Sequence, residues 1–221
     1  MKTLFLYDID GTILSTQGAG RASLNAAFED LYGVAHAFAE VRFGGRTDPG
    51  IIARAYELAN LPCTAKEAAR LQSRYLELLH IRLSSADITV HPGVSNAIEA
   101  TAPLGRNALL TGNWRAGAQA KLGAVDLWHP FAFGAFGDDS PNRNDLVPVA
   151  VERSRASGFS PERVIVIGDT EADVACARAG GALAVAVLTG WADRVLLEGA
   201  GPDLLIEDLG SGLKALLALA V

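Results

Sequence analysis

Leu4-Phe5-Leu6-Tyr7-Asp8-Ile9-Asp10-Gly11-Thr12 has the pattern of a buried strand that ends in a turn. It is a run of large apolar residues that leads into two acids and then a glycine. Side chains alternate along a strand, so the carboxylates of Asp8 and Asp10 leave the backbone on the same side. Two carboxylates at the end of a buried strand repel each other, and a divalent cation between them relieves that repulsion. An ordinary Asp-Gly turn fits the same residues, and this stretch alone leaves both interpretations open.

Length and composition indicate a folded globular protein. The 221 residues are 50% hydrophobic and 20% charged, which gives room for one large domain or a domain with an insertion. The formal net charge of -6 argues against non-specific binding to nucleic acid or to an anionic membrane.

The cysteines and the apolar runs bear on the cellular setting. Cys63 and Cys176 lie far apart with no CxxC spacing, so neither a disulfide framework nor a zinc site is expected. The apolar run before Asp8 is too short for a signal peptide, and no run approaches the roughly 18 residues of a membrane span. We therefore expect a soluble protein in the reducing cytoplasm.

A block of helical periodicity follows the opening strand. Apolar residues at helical spacing predict a helix from Ala19 to Tyr32, and Asp48-Pro49 is read as an N-cap followed by the first helical residue. Thr64 and Glu67 have the spacing of a capping box in front of a third amphipathic helix. The sequence predicts a helical insertion over residues 16–85.

From residue 86 onward, apolar strands alternate with helices. Strands are predicted over 107–113, 131–136, 163–167 and 183–188, and helices over 94–98, 117–122, 146–156, 172–179 and 212–221. Unbroken apolar strands that are each followed by a helix are typical of a parallel sheet covered on both faces. The predicted fold is therefore a three-layer, Rossmann-like α/β core, residues 1–15 and 86–221, interrupted by the helical insertion.

Polar residues mark three of the predicted strand ends, where α/β proteins bind ligands. They are the pair Asp8 and Asp10, the turn Thr111-Gly112-Asn113, and Asp169. Each alone fits a turn or a helix cap, and Thr170 with Asp173 has the form of a capping box. Turns and helix caps do not require acids and hydroxyls at three strand ends on one edge of the sheet. The combination of these residues therefore favours a binding site.

The side chains at these ends suit phosphate chemistry. Asp8 and Asp169, with a main-chain carbonyl near Asp10, offer the oxygen ligands that Mg²⁺ prefers. Thr111 and the amides of Gly112 and Asn113 can bind phosphate oxygens. One carboxylate can attack a phosphoryl group, and a second one two residues on can protonate the leaving oxygen and then activate water.

These motifs resemble the haloacid-dehalogenase-like (HAD) superfamily of Mg²⁺-dependent phosphohydrolases, in its phosphoglycolate-phosphatase-like branch. Asp8-Ile9-Asp10-Gly11-Thr12 is similar to the family's DxDGT motif, Leu110–Asn113 to its second motif, and Gly168–Asp173 to its GDxxxD motif. The resemblance implies that Asp8 is the nucleophile, Asp10 the acid and base, and Thr111 a phosphate ligand. It implies a metal site that involves Asp8, Asp10, Asp169 and Asp173, the last as a ligand or a supporting residue. The helical insertion matches that branch's cap.

One motif departs from the family pattern. A lysine normally stands between the second and fourth motifs, where it neutralises charge on the phosphate and the nucleophile. We assign that role to Arg143, with Lys121 as second choice, although Arg143 can instead be a surface residue paired with nearby acids. Arg46, on a glycine-flanked loop, either binds a second anionic group of the substrate or is solvated. Trp114 either walls the pocket or is plain packing.

The predicted function is Mg²⁺-dependent hydrolysis of a small phosphorylated metabolite through an aspartyl-phosphate intermediate. The alternatives are a phosphomutase of the β-phosphoglucomutase type and a catalytically silent sensor of a phosphorylated ligand. We expect neither nucleic acid nor membrane as a partner. The sequence leaves open whether the protein is a monomer or a homodimer, and which metabolite the cap selects.

Overall fold

The structure, a computed structural model, describes residues 2–221 and contains a six-stranded parallel sheet. The strand order is β5-β4-β1-β6-β7-β8, and a separate two-stranded ribbon pairs β2 with β3. The strands are β1 (Thr3–Tyr7), β2 (Leu14–Ser15), β3 (Thr89–Val90), β4 (Gly105–Leu110), β5 (Gly134–Ala135), β6 (Arg163–Gly168), β7 (Leu183–Val187) and β8 (Leu204–Ile206). Helices flank the sheet on both sides, so the predicted α/β fold class is confirmed.

The opening strand lies at the centre of the sheet. Tyr7 on β1 is level with Leu109 on β4 and with Ile167 on β6, and both pairings are parallel. Because all three strands run in the same direction, the residues that follow them meet at one edge. The register thus brings the residues after Tyr7, Leu110 and Gly168 close together.

Each face of the sheet has its own apolar cluster, and β1 contributes to both by alternation. Leu4 and Leu6 pack in the cluster that includes residues of α6 (Leu146–Ala156) and α7 (Glu171–Ala179). Phe5 and Tyr7 pack in the cluster that includes residues of α4 (Val94–Thr101) and α5 (Arg115–Gly123). All four side chains are completely buried. A strand buried on both faces explains the unbroken apolar run in the sequence.

Helices account for most of the remaining chain. They are α1 (Ala19–Tyr32), α2 (Asp48–Leu58), α3 (Ala65–Leu83), α4 (Val94–Thr101), α5 (Arg115–Gly123), α6 (Leu146–Ala156), α7 (Glu171–Ala179), α8 (Arg194–Ala200) and α9 (Leu213–Leu219). In residues 2–221, no helix is long and apolar enough to cross a membrane.

Helices α1, α2 and α3 form a helical block with an apolar cluster of its own. Phe28 from α1, Tyr56 from α2 and Tyr75 from α3 are among its buried members, and Trp114 of the core joins them. The chain enters the block after β2 and leaves it just before β3, and these two strands pair antiparallel. The block is therefore connected to the sheet by a short ribbon.

Several predicted elements match the structure, and several differ. Helices 19–32 and 146–156 have the predicted bounds, whereas the strand predicted over 131–136 is reduced to β5. The sequence prediction missed α8 and β8, which are short. The predicted N-cap of α2 was wrong: Thr47 is the N-cap and accepts a hydrogen bond from the Gly50 amide, while Asp48 is the first helical residue.

The central strand generates a stability prediction. Replacing Leu6 by Ala should lower the free energy of unfolding by about 2–5 kcal/mol, because the side chain is completely buried and its removal leaves a cavity. Leu196→Ala is the matched control, since Leu196 is 51% exposed, and it should cost less than about 1 kcal/mol. Urea denaturation followed by circular dichroism measures both. Equal losses in the two variants would contradict the placement of β1.

Candidate active site

Three buried carboxylates lie together beyond the ends of β1 and β6. Asp8, Asp169 and Asp173 each place an oxygen within 4.8 Å of the others. Burial, together with the neighbouring acids, raises the pKa of Asp8 to about 6, and the same causes raise the pKa of Asp169 well above its usual range. The charged forms of these acids therefore need a compensating cation.

The cluster offers oxygens that suit a hard divalent cation. Asp8 Oδ1 is buried and has no hydrogen-bond partner among residues 2–221. Asp169 is held by two hydrogen bonds. Thr12 Oγ1 donates to Asp169 Oδ1 at 3.3 Å, and the Trp191 amide donates to Asp169 Oδ2 at 3.1 Å. A carboxylate set with an unpartnered oxygen fits Mg²⁺, and Asp8 and Asp169 are the residues best placed to hold it.

Asp173 is engaged by other protein groups. One of its oxygens accepts from both the amide and the hydroxyl of Thr170, which makes the reciprocal capping box that the sequence predicts for α7. The other oxygen accepts from Arg143. Asp173 thus holds the start of α7 and Arg143 in place, and its direct binding of a metal stays a prediction.

Arg143 reaches the carboxylate cluster. It lies in a short 3₁₀ turn before α6, is 7% exposed, and places Nη2 3.2 Å from Asp8 Oδ2 while also contacting Asp173. The Cys176 thiol donates to its main-chain carbonyl at 3.0 Å. The structure therefore does not support the interpretation of Arg143 as a surface residue paired with the acids that flank it in the sequence.

A second cation, Lys121, contacts Asp10, the other acid of the first motif. Its Nζ donates to Asp10 Oδ2 at 2.6 Å and to Asn113 Oδ1 at 2.7 Å, and Asn113 Nδ2 also donates to Asp10 at 2.7 Å. The sequence prediction ranked Lys121 behind Arg143, and the structure brings both to the site. The position of Lys121 on α5 could have indicated its role. Side chains on a helix point toward its N-terminus, and α5 begins just after the turn that contains Asn113.

The turn after β4 presents a hydroxyl proton. Thr111 Oγ1 accepts from Asn113 twice, from Nδ2 at 2.9 Å and from the main-chain amide at 3.3 Å. A hydroxyl has two acceptor positions and one proton, and the proton of Thr111 has no acceptor among residues 2–221, so it can be donated to a ligand. This geometry suits the phosphate-binding role predicted for the turn.

The helical block contacts this turn through a residue that sequence reasoning missed. Asp48 Oδ2 accepts from the Trp114 amide at 2.8 Å, and the Asp48 amide donates to the Gly112 carbonyl at 2.7 Å. Burial raises the pKa of Asp48 to about 6, although Lys121 opposes the shift. The sequence around Asp48 indicated only an N-cap, because the hydrogen-bond partners of Asp48 lie more than sixty residues away in the chain. Trp114 itself packs in the apolar cluster of the block.

Arg46 lies at the rim of a cleft between the helical block and the core. The cleft has a volume of about 270 Å³ and is also lined by Thr47, Asn142, Arg143 and Asn144. Arg46 is exposed. The structure thus places Arg46 near the predicted site but leaves its guanidinium in solvent, so its contact with substrate stays a prediction.

Known proteins resemble this chain in sequence and in fold. The HAD-hydrolase-like family model matches residues 144–211. A phosphoglycolate phosphatase of Cereibacter sphaeroides (strain ATCC 17029 / ATH 2.4.9) is 30% identical over 180 residues, which cover 80% of each chain. One from Mesorhizobium japonicum is 28% identical over 200 residues, 89% of this chain and 87% of the relative. The crystal structure of a hydrolase from Pseudomonas syringae superposes with a TM-score of 0.76 at 22% identity and covers 100% of both chains.

The buried position of Arg143 generates a stability prediction. Arg143→Met should lower the free energy of unfolding by about 3–5 kcal/mol, because it leaves the charges of Asp8 and Asp173 uncompensated. Arg155→Met is the control, since Arg155 on α6 is exposed. Urea denaturation of both variants at neutral pH makes the comparison. A loss for Arg143→Met no larger than that for the control would show that Arg143 is not part of the buried cluster.

Proposed function

The chain belongs to the haloacid-dehalogenase-like hydrolases, and on that premise we propose that it hydrolyses small phosphomonoesters with Mg²⁺ as its cofactor. One observation carries the proposal. Asp8 and Asp10, two residues apart, lie in different surroundings: Asp8 is buried beside Arg143, while the partly exposed Asp10 is held by Lys121 and Asn113. Two carboxylates in different environments can take two different chemical roles.

Asp8 is proposed as the nucleophile. A carboxylate oxygen of Asp8 attacks phosphorus, the bond from phosphorus to the leaving oxygen breaks, and Asp10 gives that oxygen a proton. Water then attacks the phosphorus of the aspartyl phosphate, and Asp10 takes a proton from it. The bond from phosphorus to Asp8 breaks, which releases inorganic phosphate and restores both carboxyl groups.

Mg²⁺ is proposed to be held by Asp8, Asp169 and the main-chain carbonyl of Asp10, with Asp173 in support. When bound, it would neutralise charge on the buried acids and on the phosphate oxygens. The unpartnered Asp8 Oδ1 and the raised pKa values of Asp8 and Asp169 support this assignment.

The remaining residues orient the phosphoryl group and offset its charge. Arg143 lies beside the attacking carboxylate, where it can neutralise negative charge as the reaction proceeds. Thr111 offers its free hydroxyl proton, and the amides of Gly112 and Asn113 are proposed to donate beside it. Lys121 and Asn113 hold Asp10 in place for proton transfer.

Substrate choice is assigned to the helical block, residues 16–85, acting as a cap. Arg46 at the cleft is proposed to attract a second anionic group of the substrate, such as a carboxylate. The similar proteins that carry the name phosphoglycolate phosphatase make 2-phosphoglycolate the first candidate. Phosphate release from a panel that includes 2-phosphoglycolate and hexose phosphates tests the proposal.

The panel also separates the alternatives. Conversion of a hexose 1-phosphate to its isomer without phosphate release would identify a mutase. Binding of phosphorylated compounds with no turnover in Mg²⁺ would identify a sensor. Either result would overturn the proposed hydrolysis.

The nucleophile assignment predicts the effect of one substitution. Asp8→Asn should lower kcat by more than about a thousandfold, because the amide cannot attack phosphorus. The fold should persist, since burial already disfavours the charge of Asp8, and circular dichroism checks this. Asp87→Asn, at an exposed acid, is the matched control and should leave kcat unchanged. Activity of Asp8→Asn within roughly tenfold of the wild type would refute the assignment.

Metal removal gives a second prediction with a readout besides activity. Dialysis against a chelator should stop phosphate release, and Mg²⁺ should restore it. Mg²⁺ at about a hundred times its Kd should raise the thermal midpoint by roughly 5–10 °C, because it binds only the folded cluster. Asp169→Asn should remove most of this shift, whereas Asp87→Asn should keep it. An identical shift in both variants would exclude Asp169 as a ligand.

A further inference from the structure

Two adjacent residues at the start of α2 attach the helical block to two different loops of the core. Thr47 Oγ1 donates to the carbonyl of Pro141 at 2.7 Å, in the loop that leads to Arg143. Asp48 forms hydrogen bonds with both Gly112 and Trp114, at the turn after β4. Each of these loops carries a residue of the proposed site.

The contact at the turn after β4 is close and specific. A Cβ atom at Gly112 would lie 2.1 Å from the Arg46 carbonyl oxygen and 2.9 Å from the Thr47 Cα, so only glycine allows the two backbones to approach. Asp48 accepts through its side chain and donates through its amide, which fixes the turn at two points. The orientation of residues 112–114 therefore depends on the position of α2.

Trp114 connects the same turn to a second helix of the block. Its ring centroid is 5.6 Å from that of Tyr75 on α3, and its side chain is 5% exposed. The backbone of Trp114 thus binds α2 while its ring packs against α3. Thr111, with its free hydroxyl proton, lies only three residues earlier in the chain.

We propose that Thr47 and Asp48 are positioning residues that form a clasp, which holds the phosphate-binding turn and the Arg143 loop in the order that catalysis needs. The clasp makes the geometry of the site depend on the start of α2. Its role in catalysis rests on the proposed function, whereas its effect on the order of the two loops follows from the contacts alone.

The surroundings of Asp48 allow a discriminating pair of variants. Asp48→Asn keeps an oxygen that can accept from the Trp114 amide and removes a buried charge, while Asp48→Ala removes the acceptor. Burial raises the pKa of Asp48 to about 6, so Asp48→Asn removes a charge that burial disfavours. Asp87→Ala, in an exposed segment, is the control.

Amide hydrogen exchange on the full chain tests the clasp without any substrate. Asp48→Ala should speed exchange of the Trp114 amide at least tenfold, while Asp48→Asn and Asp87→Ala should stay within about threefold of the wild type. Wild-type exchange in Asp48→Ala would overturn the clasp. Equal acceleration in Asp48→Asn would also overturn it, because the hydrogen-bond acceptor would then not be what matters.

Steady-state kinetics tests the coupling to catalysis. Asp48→Ala should lower kcat/KM for the best phosphomonoester at least tenfold, and Asp48→Asn should recover it to within about threefold. If Asp48→Ala does not fold, Thr47→Val against Thr47→Ser makes the same comparison through amide exchange in residues 142–145 and through kcat/KM. An unchanged kcat/KM in the variants that lose the contact would overturn the coupling. A wild-type protein that releases no phosphate refutes the proposed function, and the exchange data then still decide whether the clasp exists.

Discussion

The structure depends on the parallel pairing of β1 with β4 on one side and β6 on the other. This pairing places the ends of three buried strands side by side, and each end carries polar residues. Both faces of β1 pack in the apolar clusters that flank the sheet. Asp8 and Asp10, which follow β1, therefore lie at the edge of the sheet. A site with concentrated negative charge is thus a consequence of the packing of one strand.

Burial of that charge explains much of the surrounding structure. Asp8, Asp169 and Asp173 are buried close together, and Arg143 offsets only part of their charge. Lys121 is committed to Asp10 and Asn113 instead. Arg143 therefore compensates only part of the negative charge around Asp8. Lys121 compensates the charge of Asp10. Asp8 and Asp10, although only two residues apart, therefore have different surroundings.

The sequence predicted those features that depend on local pattern. The helix from Ala19 and the capping box at Thr170 could be predicted because their partners are near neighbours in the chain. The strand before Asp8 could be predicted because an unbroken apolar run by itself indicates a strand buried on both faces. The alternation of apolar strands with helices predicted the α/β fold class, which the structure confirms. Residue roles within the site stay predictions.

What the sequence did not predict depends on contacts between distant residues. Asp48 looked like a helix cap, since nothing in its neighbourhood shows that Trp114 donates to it from 66 positions away. Lys121 looked like one helical cation among others, because Asp10 is 111 positions earlier. The burial of Arg143 likewise follows from the tertiary fold and not from its own segment.

If Asp8 attacks the phosphoryl group of the substrate, mass spectrometry of an acid-quenched single turnover will detect Asp8 in its phosphorylated form. The tryptic peptide Thr3–Arg21 should appear with one added phosphoryl group during turnover, and fragmentation should place that group on Asp8. The modification should disappear once the substrate is exhausted. A phosphoryl group on another residue, at levels that follow turnover, would contradict the account.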